Sequence, residues 1–344
     1  MRALVKTGPK AEDLELKSDW REPSPDPVQV KLKIEAAGIC GTDLHILRGT
    51  WRCDYPVALG HEFCGTVVEV GEQVRGLKAG DRVVAANPAK TCGRCRHCQA
   101  GNAFMCPERV SAGYMIDGAF AEYLCIDAIR CHLLPDEVSF RAAALGEPIA
   151  VAVHAVIERS QVHAGDWAFV SGPGCVGLLV SQVAKLEGAR VLLAGTAQDR
   201  KRLECARELG VDEVVDVSVD DPVERMRELT GGEGADIVYE CAGAAASLAT
   251  CWKAVKKEGT VVPVGMYPGP IETDFGAISM NELRVIGTYG YVWSSWQRTV
   301  KLLGEGKIDA ENMISHAYPL ERHAEAFQTT QDGTGVKVIF EPWA

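Results

Sequence analysis

Residues 167–186 read WAFVSGPGCVGLLVSQVAKL, and their order decides the architecture. An apolar strand, Trp167 to Val170, runs into Gly172-Pro173-Gly174-Cys175-Val176-Gly177, and an amphipathic helix from Leu178 to Leu186 follows at once. In this GxGxxG spacing Gly172 permits the tight turn, Gly174 lets the backbone approach a pyrophosphate, and Gly177 allows the helix to pack closely on the strand. Free N–H groups and positive potential at the helix start complete an anion cradle. The stretch from Trp167 to Ala184 is nearly apolar, but its SGPG centre marks a turn between two short elements, not a membrane span.

The same rhythm continues downstream. Strands are expected at Arg190 to Ala194, Glu213 to Asp216, Asp236 to Tyr239, Thr260 to Val264 and Arg284 to Gly287, with helices at Arg200 to Leu209 and Ser247 to Val255. Alternating strand and helix units imply a parallel, doubly wound α/β sheet. Upstream, residues 1–145 instead carry short β-rich runs (Val28 to Ile34, Gly65 to Val70, Arg82 to Ala86, Ala121 to Ile126) between Gly and Pro turns. That half reads as a β-rich domain with inserted loops. After Gly287 a Trp-rich segment and a last strand, Val336 to Phe340, follow, and this tail is expected to rejoin the first domain.

The second strand of the doubly wound region ends Leu193-Ala194-Gly195-Thr196. A site for NAD carries an Asp or Glu about 20 residues beyond the glycines to hold the ribose 2′-hydroxyl. That acid is missing here, and a small residue and a hydroxyl followed by Arg200 suit the 2′-phosphate of NADP. Asp199 is the competing signal, as a displaced ribose acid or, more in keeping with its place, the N-cap of the helix beginning at Arg200. The cofactor is therefore NAD or NADP, with NADP favoured.

The chain has 344 residues, 47% hydrophobic and 24% charged, which fits two globular domains and excludes disordered or collagenous classes. Against 36 Lys and Arg stand 47 Asp and Glu, a net charge of −11, the wrong sign for holding nucleic acid or an anionic membrane. The N-terminus has no apolar run of the secretory type, so a cytoplasmic protein is expected.

Thirteen cysteines in such a chain suggest metal binding before disulfides. Cys92, Cys95, Cys98 and Cys106 lie in TCGRCRHCQAGNAFMCP, and four thiolates without an open position describe a closed structural zinc. CxxCxxC followed by Cys-Pro also echoes iron–sulfur proteins, but their fourth cysteine comes sooner. His97 inside the loop reads as solvated. A looser set consists of Cys40 in CGTDLH, His61 and Glu62 after Gly60, and Glu147 before Pro148. One thiolate, one imidazole and one or two carboxylates make a mixed zinc set with room for water or substrate. Singly, these residues read as a small buried hydrophobe, a core histidine and a helix-start carboxylate.

Taken together with the glycine loop, the motifs GICGTDLH at 38–45, GHEFCGTVVEVG at 60–71, GDRV at 80–83, the four-cysteine loop, EP at 147–148 and GPGCVG at 172–177 resemble the zinc-dependent medium-chain dehydrogenase/reductase family. The resemblance spans essentially the whole chain and is strongest to the polyol (sorbitol-like) and threonine dehydrogenase branches. It implies a GroES-like catalytic domain over 1–147, a Rossmann cofactor domain over 148–290 and a segment 291–344 returning to the catalytic domain, assembled as homodimers or homotetramers. It further implies one catalytic and one structural zinc. Cys40 and His61 would ligate the catalytic zinc, with Glu62 and Glu147 as direct or water-mediated ligands and Asp43 holding the second nitrogen of His61. Thr42 would contact the reacting alcohol and His45 would pass its proton towards solvent. Gly172, Gly174, Cys175, Val176, Gly177, Gly195, Thr196 and Arg200 would line the dinucleotide.

The implied reaction is oxidation of a secondary alcohol to a ketone, or the reverse. Glu147-Pro148 looks like the polyol branch, whereas Tyr289-Gly290 and Trp296 look like the threonine branch, and Gly290 stands where polyol enzymes carry a substrate-binding arginine. Trp51, Tyr291 and Trp293 are the aromatic candidates for a substrate pocket or for core packing. A cofactor-binding protein without turnover, and a redox sensor built on Cys53, Cys64, Cys125, Cys131, Cys175, Cys205, Cys241 and Cys251, are the remaining readings.

Overall fold

The computed structural model describes residues 1–344 and divides into two compact units, 1–147 with 292–344, and 148–291. In the first unit a seven-stranded sheet runs in the order Cys131–Leu133, Arg82–Ala85, Glu62–Val70, Gln29–Gly38, Lys337–Phe340 and Ile314–Tyr318, with Tyr123–Asp127 also paired to Gln29–Gly38. Gln29–Gly38 is central because it alternates: Val30, Leu32 and Ile34 are fully buried while Lys31, Lys33 and Glu35 are partly exposed. Their buried face meets Leu4, Phe63, Phe120 and Phe340, and the rings of Phe120 and Phe340 pack edge-on at 4.8 Å and 73°. The tail strand Lys337–Phe340 lies antiparallel to Gln29–Gly38, with Ile339 opposite Gly38. The tail thus supplies an interior strand of this sheet, as the sequence leads one to expect.

The backbone conformation of Gly60 matters most for the site. Its φ of +97° is a conformation that glycine adopts without steric cost, and a Cβ there would strike Phe120. His61 follows directly, and the strand Glu62–Val70 begins at the next residue.

The second unit holds a six-stranded parallel sheet in the order Glu213–Asp216, Arg190–Gly195, Trp167–Ser171, Ala235–Glu240, Val255–Pro263 and Arg284–Val285. This is the doubly wound order whose switch point lies beside the first strand. Helices Cys175–Leu186, Arg200–Glu208, Pro222–Leu229 and Ala245–Ala254 complete the crossovers. Phe169, Leu192, Val238 and Val261 form its core. Gly172 turns at φ +107°, and a Cβ on Gly177 would overlap the Gly172 carbonyl, so helix and strand approach as the motif requires.

Several boundaries differ from the sequence reading. The glycine-loop helix starts at Cys175, not Leu178, because the turn residues Val176 and Gly177 already have helical geometry. Val255–Pro263 is longer than the expected strand since it begins directly at the end of the preceding helix. The Trp-rich segment is a regular helix, Trp293–Gly304, burying Trp296, Thr299 and Leu303 on one face. No helix is long and apolar enough to cross a membrane.

Candidate metal centres and cofactor site

The four-cysteine loop closes on itself. Cys92 Sγ lies 3.9 Å from Cys98 Sγ and 3.6 Å from Cys106 Sγ, and Cys95 Sγ is 3.5 Å from Cys98 Sγ. A tetrahedral zinc with bonds of about 2.3 Å needs sulfurs roughly 3.8 Å apart, so the donor set fits that ion. Backbone N–H groups of Cys95 and Cys92 point at Cys92 Sγ and Cys106 Sγ at 3.3 and 3.4 Å. Hydrogen bonds from the Arg94 and Cys95 backbone pull the Cys92 thiol down to about 7, whereas desolvation raises Cys106 to about 11. His97 sits in the short helix Arg96–Gln99, partly exposed, outside the sulfur cluster.

The second set is built on a helix entry and on the residues that follow a left-handed glycine. Cys40 precedes helix Gly41–Leu47, and the Asp43 carboxylate accepts the Cys40 backbone N–H at 2.9 Å, fixing the thiol at the helix entry. His61 directly follows Gly60. Ligand atoms of Cys40, His61 and Glu62 all fall within 4.8 Å of one another. Asp43, fully buried, directs Oδ1 at His61 Nδ1 from 3.4 Å, and neither of these two buried atoms has a hydrogen-bond partner. That leaves the other imidazole nitrogen for a metal, with the ring oriented by a carboxylate behind it. Burial opposes a charge on His61, but Asp43 and Cys40 outweigh it and hold the imidazole pKa well above its usual value. A thiolate, an imidazole and one carboxylate, with the unpartnered Asp43 oxygen behind the imidazole, fit a zinc ion of the open, catalytic type.

Glu147 is buried at the second position of helix Gly146–Val153. Desolvation first, then the nearby Glu62 carboxylate, pushes its pKa up to about 7. Glu62 itself is 1% exposed and forms an ion pair with Lys337, whose Nζ also donates to the Ile39 carbonyl at 3.0 Å. Sequence reasoning missed Lys337 because its partners lie at the opposite end of the chain. The Thr42 hydroxyl lies 3.6 Å from Cys40 Sγ, and His45 Nδ1 meets Thr50 Oγ1 at 3.1 Å. Burial, then Arg48, lowers the His45 pKa and so favours the neutral ring.

In the second unit, a cavity of about 780 Å³ opens where the strands Trp167–Ser171, Arg190–Gly195 and Ala235–Glu240 end. Gly172, Gly174, Gly195 and Thr196 line it. Arg200 does not. It is 85% exposed and paired with Glu204 one helical turn on, so the arginine at this cavity is Arg202, paired with Asp199 at 3.1 Å. Asp199 makes no side-chain cap on the helix that it precedes. Its Oδ2 instead accepts the Thr196 backbone N–H and hydroxyl at 3.1 and 2.9 Å, because a short 3₁₀ turn, Ala197–Asp199, intervenes. Glu240, fully buried, braces the cavity wall by accepting from the Ala242 and Gly243 backbones, Ser247 and Tyr267.

The aromatic candidates separate. Trp51 packs on the core of the first unit, Tyr291 is buried, and Trp293 is partly exposed with its backbone N–H on Gly101. All thirteen cysteines are free, and burial raises the thiols of Cys53, Cys64, Cys125, Cys131, Cys241 and Cys251, the behaviour of inert core residues.

Comparison with known proteins agrees with this geometry. Residues 26–136 match the family model of the alcohol dehydrogenase GroES-like domain, and residues 175–305 that of the zinc-binding dehydrogenases. The chain belongs to the zinc-binding alcohol dehydrogenase family. It is 36% identical over 343 residues to a sorbitol dehydrogenase of Halalkalibacterium halodurans, covering 99% of both chains. It is 34% identical over 344 residues to an L-threonine 3-dehydrogenase of Edwardsiella ictaluri, covering 98% of this chain and 99% of the relative. A structure described as a zinc-binding dehydrogenase of Sinorhizobium meliloti, bound to NADP, superposes with a TM-score of 0.90 at 33% identity and 99% coverage of each chain. This family membership makes the chain an oxidoreductase of the alcohol dehydrogenase type.

Proposed function

We propose that the protein oxidises a secondary alcohol of the polyol class to a ketone, passing the hydride to NADP+ in preference to NAD+. The observation that carries this reading is the convergence of Cys40, His61 and Glu62, with Asp43 behind the imidazole. Cys40, His61 and Glu62 would hold a zinc ion, which would supply the Lewis acidity that makes a substrate hydroxyl more acidic. Thr42, beside Cys40, takes up the hydroxyl proton, and His45 relays it outward through its neutral ring. Gly172, Gly174 and Gly177 would shape the site of the nicotinamide dinucleotide, which would supply the acceptor for the hydrogen and electron pair on the same carbon. Glu147-Pro148 favours a polyol, as does the sorbitol dehydrogenase relative. Absence of an acid at Gly195 and the presence of Arg202 in the cavity favour NADP+.

A second reading is oxidation of L-threonine, favoured by Tyr289-Gly290 and by the threonine dehydrogenase relative. Initial rates of NAD+ and NADP+ reduction by the zinc-loaded protein with sorbitol, xylitol, ribitol, galactitol, L-threonine and simple secondary alcohols separate the two. Fastest turnover of a polyol with NADP+ is the expected result. Preferred turnover of threonine overturns the substrate class, and silence on every alcohol with zinc bound moves the reading to a cofactor-binding protein.

A further inference from the structure

Glu147 stands outside the close cluster of Cys40, His61 and Glu62 but near enough to feel the charges of Glu62 and His61, on a helix whose first residue has no room for a side chain. The backbone of Gly146 does not itself demand glycine, since its φ lies outside the left-handed region. Space does. A Cβ at position 146 would fall 2.7 Å from Val84 Cγ2 and 3.3 Å from Trp296 Cζ3. A distance of 2.7 Å is an overlap that rigid, β-branched Val84 relieves only by moving its strand or by displacing the helix.

The two walls of this socket are themselves tied together. Val84 and His132 are direct partners across the antiparallel strands Arg82–Ala85 and Cys131–Leu133, so their side chains share one face of the sheet. On that face the Trp296 indole lies flat against the His132 ring, with centroids 5.1 Å apart and planes 7° from parallel. Trp296 is 1% exposed, the largest fully buried side chain of the protein. Its helix is anchored one turn earlier, where the Trp293 backbone N–H donates to the Gly101 carbonyl at 3.1 Å and the Trp293 ring meets His132 at 4.8 Å. Val84 and Trp296 thus present a fixed surface, and the start of the Glu147 helix is pressed onto it.

Resting on the reading of Glu147 as part of the catalytic metal centre, we infer that Trp296 is a positioning residue: with Val84 it forms a socket fitted to a bare backbone at Gly146 and so sets where the Glu147 carboxylate stands. A merely structural tryptophan would affect stability and leave the metal site alone. A size-for-size exchange separates these roles. Gly146→Ala adds the methyl group that the socket excludes, while Val84→Ala, or Trp296→Phe, removes the atoms that it would strike and retains an apolar wall.

The experiment uses holoenzyme in which cobalt replaces the catalytic zinc, and reads both the visible absorption of the cobalt–thiolate site and steady-state rates. Gly146→Ala is expected to shift the cobalt spectrum and to lower kcat about tenfold or more, the usual scale for residues that orient a metal site. KM for the nicotinamide cofactor should stay unchanged. Gly146→Ala/Val84→Ala and Gly146→Ala/Trp296→Phe should restore both readouts to within about threefold of the parent, even where Gly146→Ala alone folds poorly. A wild-type spectrum in Gly146→Ala, or a soluble double variant of either kind whose spectrum stays altered, overturns the inference. Failure of the parent to oxidise any alcohol counts against the proposed reaction, whereas the cobalt spectrum still decides the socket.

Discussion

Lys337 and Glu62 form an ion pair across 275 residues of sequence, with side chains only 3% and 2% exposed. Gly38 makes the pair sterically feasible. A Cβ there would overlap the Glu62 carboxylate and lie 2.8 Å from Lys337 Cε, so three distant segments meet around one missing side chain. Removing one partner of a buried pair strands the other charge, a larger effect than the net worth of the pair itself. Lys337→Met should therefore destabilise the protein by roughly 3 kcal/mol. Adding Glu62→Gln should recover part of that loss, because no buried carboxylate is then left unpaired. Urea unfolding of the two single variants and the double variant gives the answer, and equal midpoints for Lys337→Met and the parent would remove the pair from the account of stability.

His132 supplies the pH dependence. Burial, then the neighbouring Arg130, lowers its pKa to about 4, against an ordinary value near 6.5. Between those values the unfolded chain binds more protons than the folded one, so stability is fully present above about pH 6.5 and is lost as the pH falls towards 4. The shift corresponds to about 3 kcal/mol at most. His132→Phe keeps an aromatic surface for Trp296 and carries no titrating group. Its unfolding free energy should fall less steeply from pH 6.5 to 4 than that of the parent, whereas parallel slopes would show that His132 titrates normally.

Short-range signals explain what was legible beforehand. Trp167 to Gly177 carries strand, turn and helix in contiguous residues, and the resulting parallel sheet has the strands the rhythm suggests. Cys40 to Asp43 and Gly60 to Glu62 are likewise local motifs, and the structure brings Cys40, His61 and Glu62 together. The missed features depend on distant contacts. Nothing near Lys337 in sequence announces Glu62, and the helical face of Trp293–Gly304 is hidden in sequence by aromatic and polar residues of weak helical preference. Arg202 and not Arg200 lines the cavity because the intervening turn Ala197–Asp199 sets the phase of the helix that follows, a shift that the local sequence does not announce.

The cysteine loop predicts a separation of stability from chemistry. Cys95 lies 3.5 Å from Cys98, and its Sγ also accepts the Cys98 backbone N–H at 3.5 Å, so it organises the short helix Arg96–Gln99 as well as contributing a ligand. Cys95→Ser should lower the zinc content by one ion per chain and reduce thermal stability, since binding energy at a closed site is folding energy. The surviving soluble protein should retain most of its turnover per catalytic zinc. Metal analysis with calorimetry checks this, and an unchanged melting temperature after loss of one zinc would defeat the structural assignment.

On the proposed reading of the cavity as the cofactor site, Arg202 and Asp199 should pull cofactor preference in opposite directions. Asp199 is held by Thr196 through two hydrogen bonds and lines the cavity as an acceptor suited to a ribose hydroxyl, while Arg202 beside it is a donor suited to a phosphate. Their mutual contact at 3.1 Å, with both side chains under one-fifth exposed, means that a 2′-phosphate would compete with Asp199 for the guanidinium. A dianionic phosphate offers more charge than a single carboxylate, and hydrogen bonds to charged groups contribute about 1.5–3 kcal/mol each. Arg202→Ala should consequently reduce kcat/KM for NADP+ by about tenfold or more and change that for NAD+ much less. Asp199→Asn should move the ratio towards NADP+ by freeing Arg202 and removing a repelling charge. Equal losses with both cofactors in Arg202→Ala would mean that the arginine supports the adenosine end as a whole and does not read the phosphate.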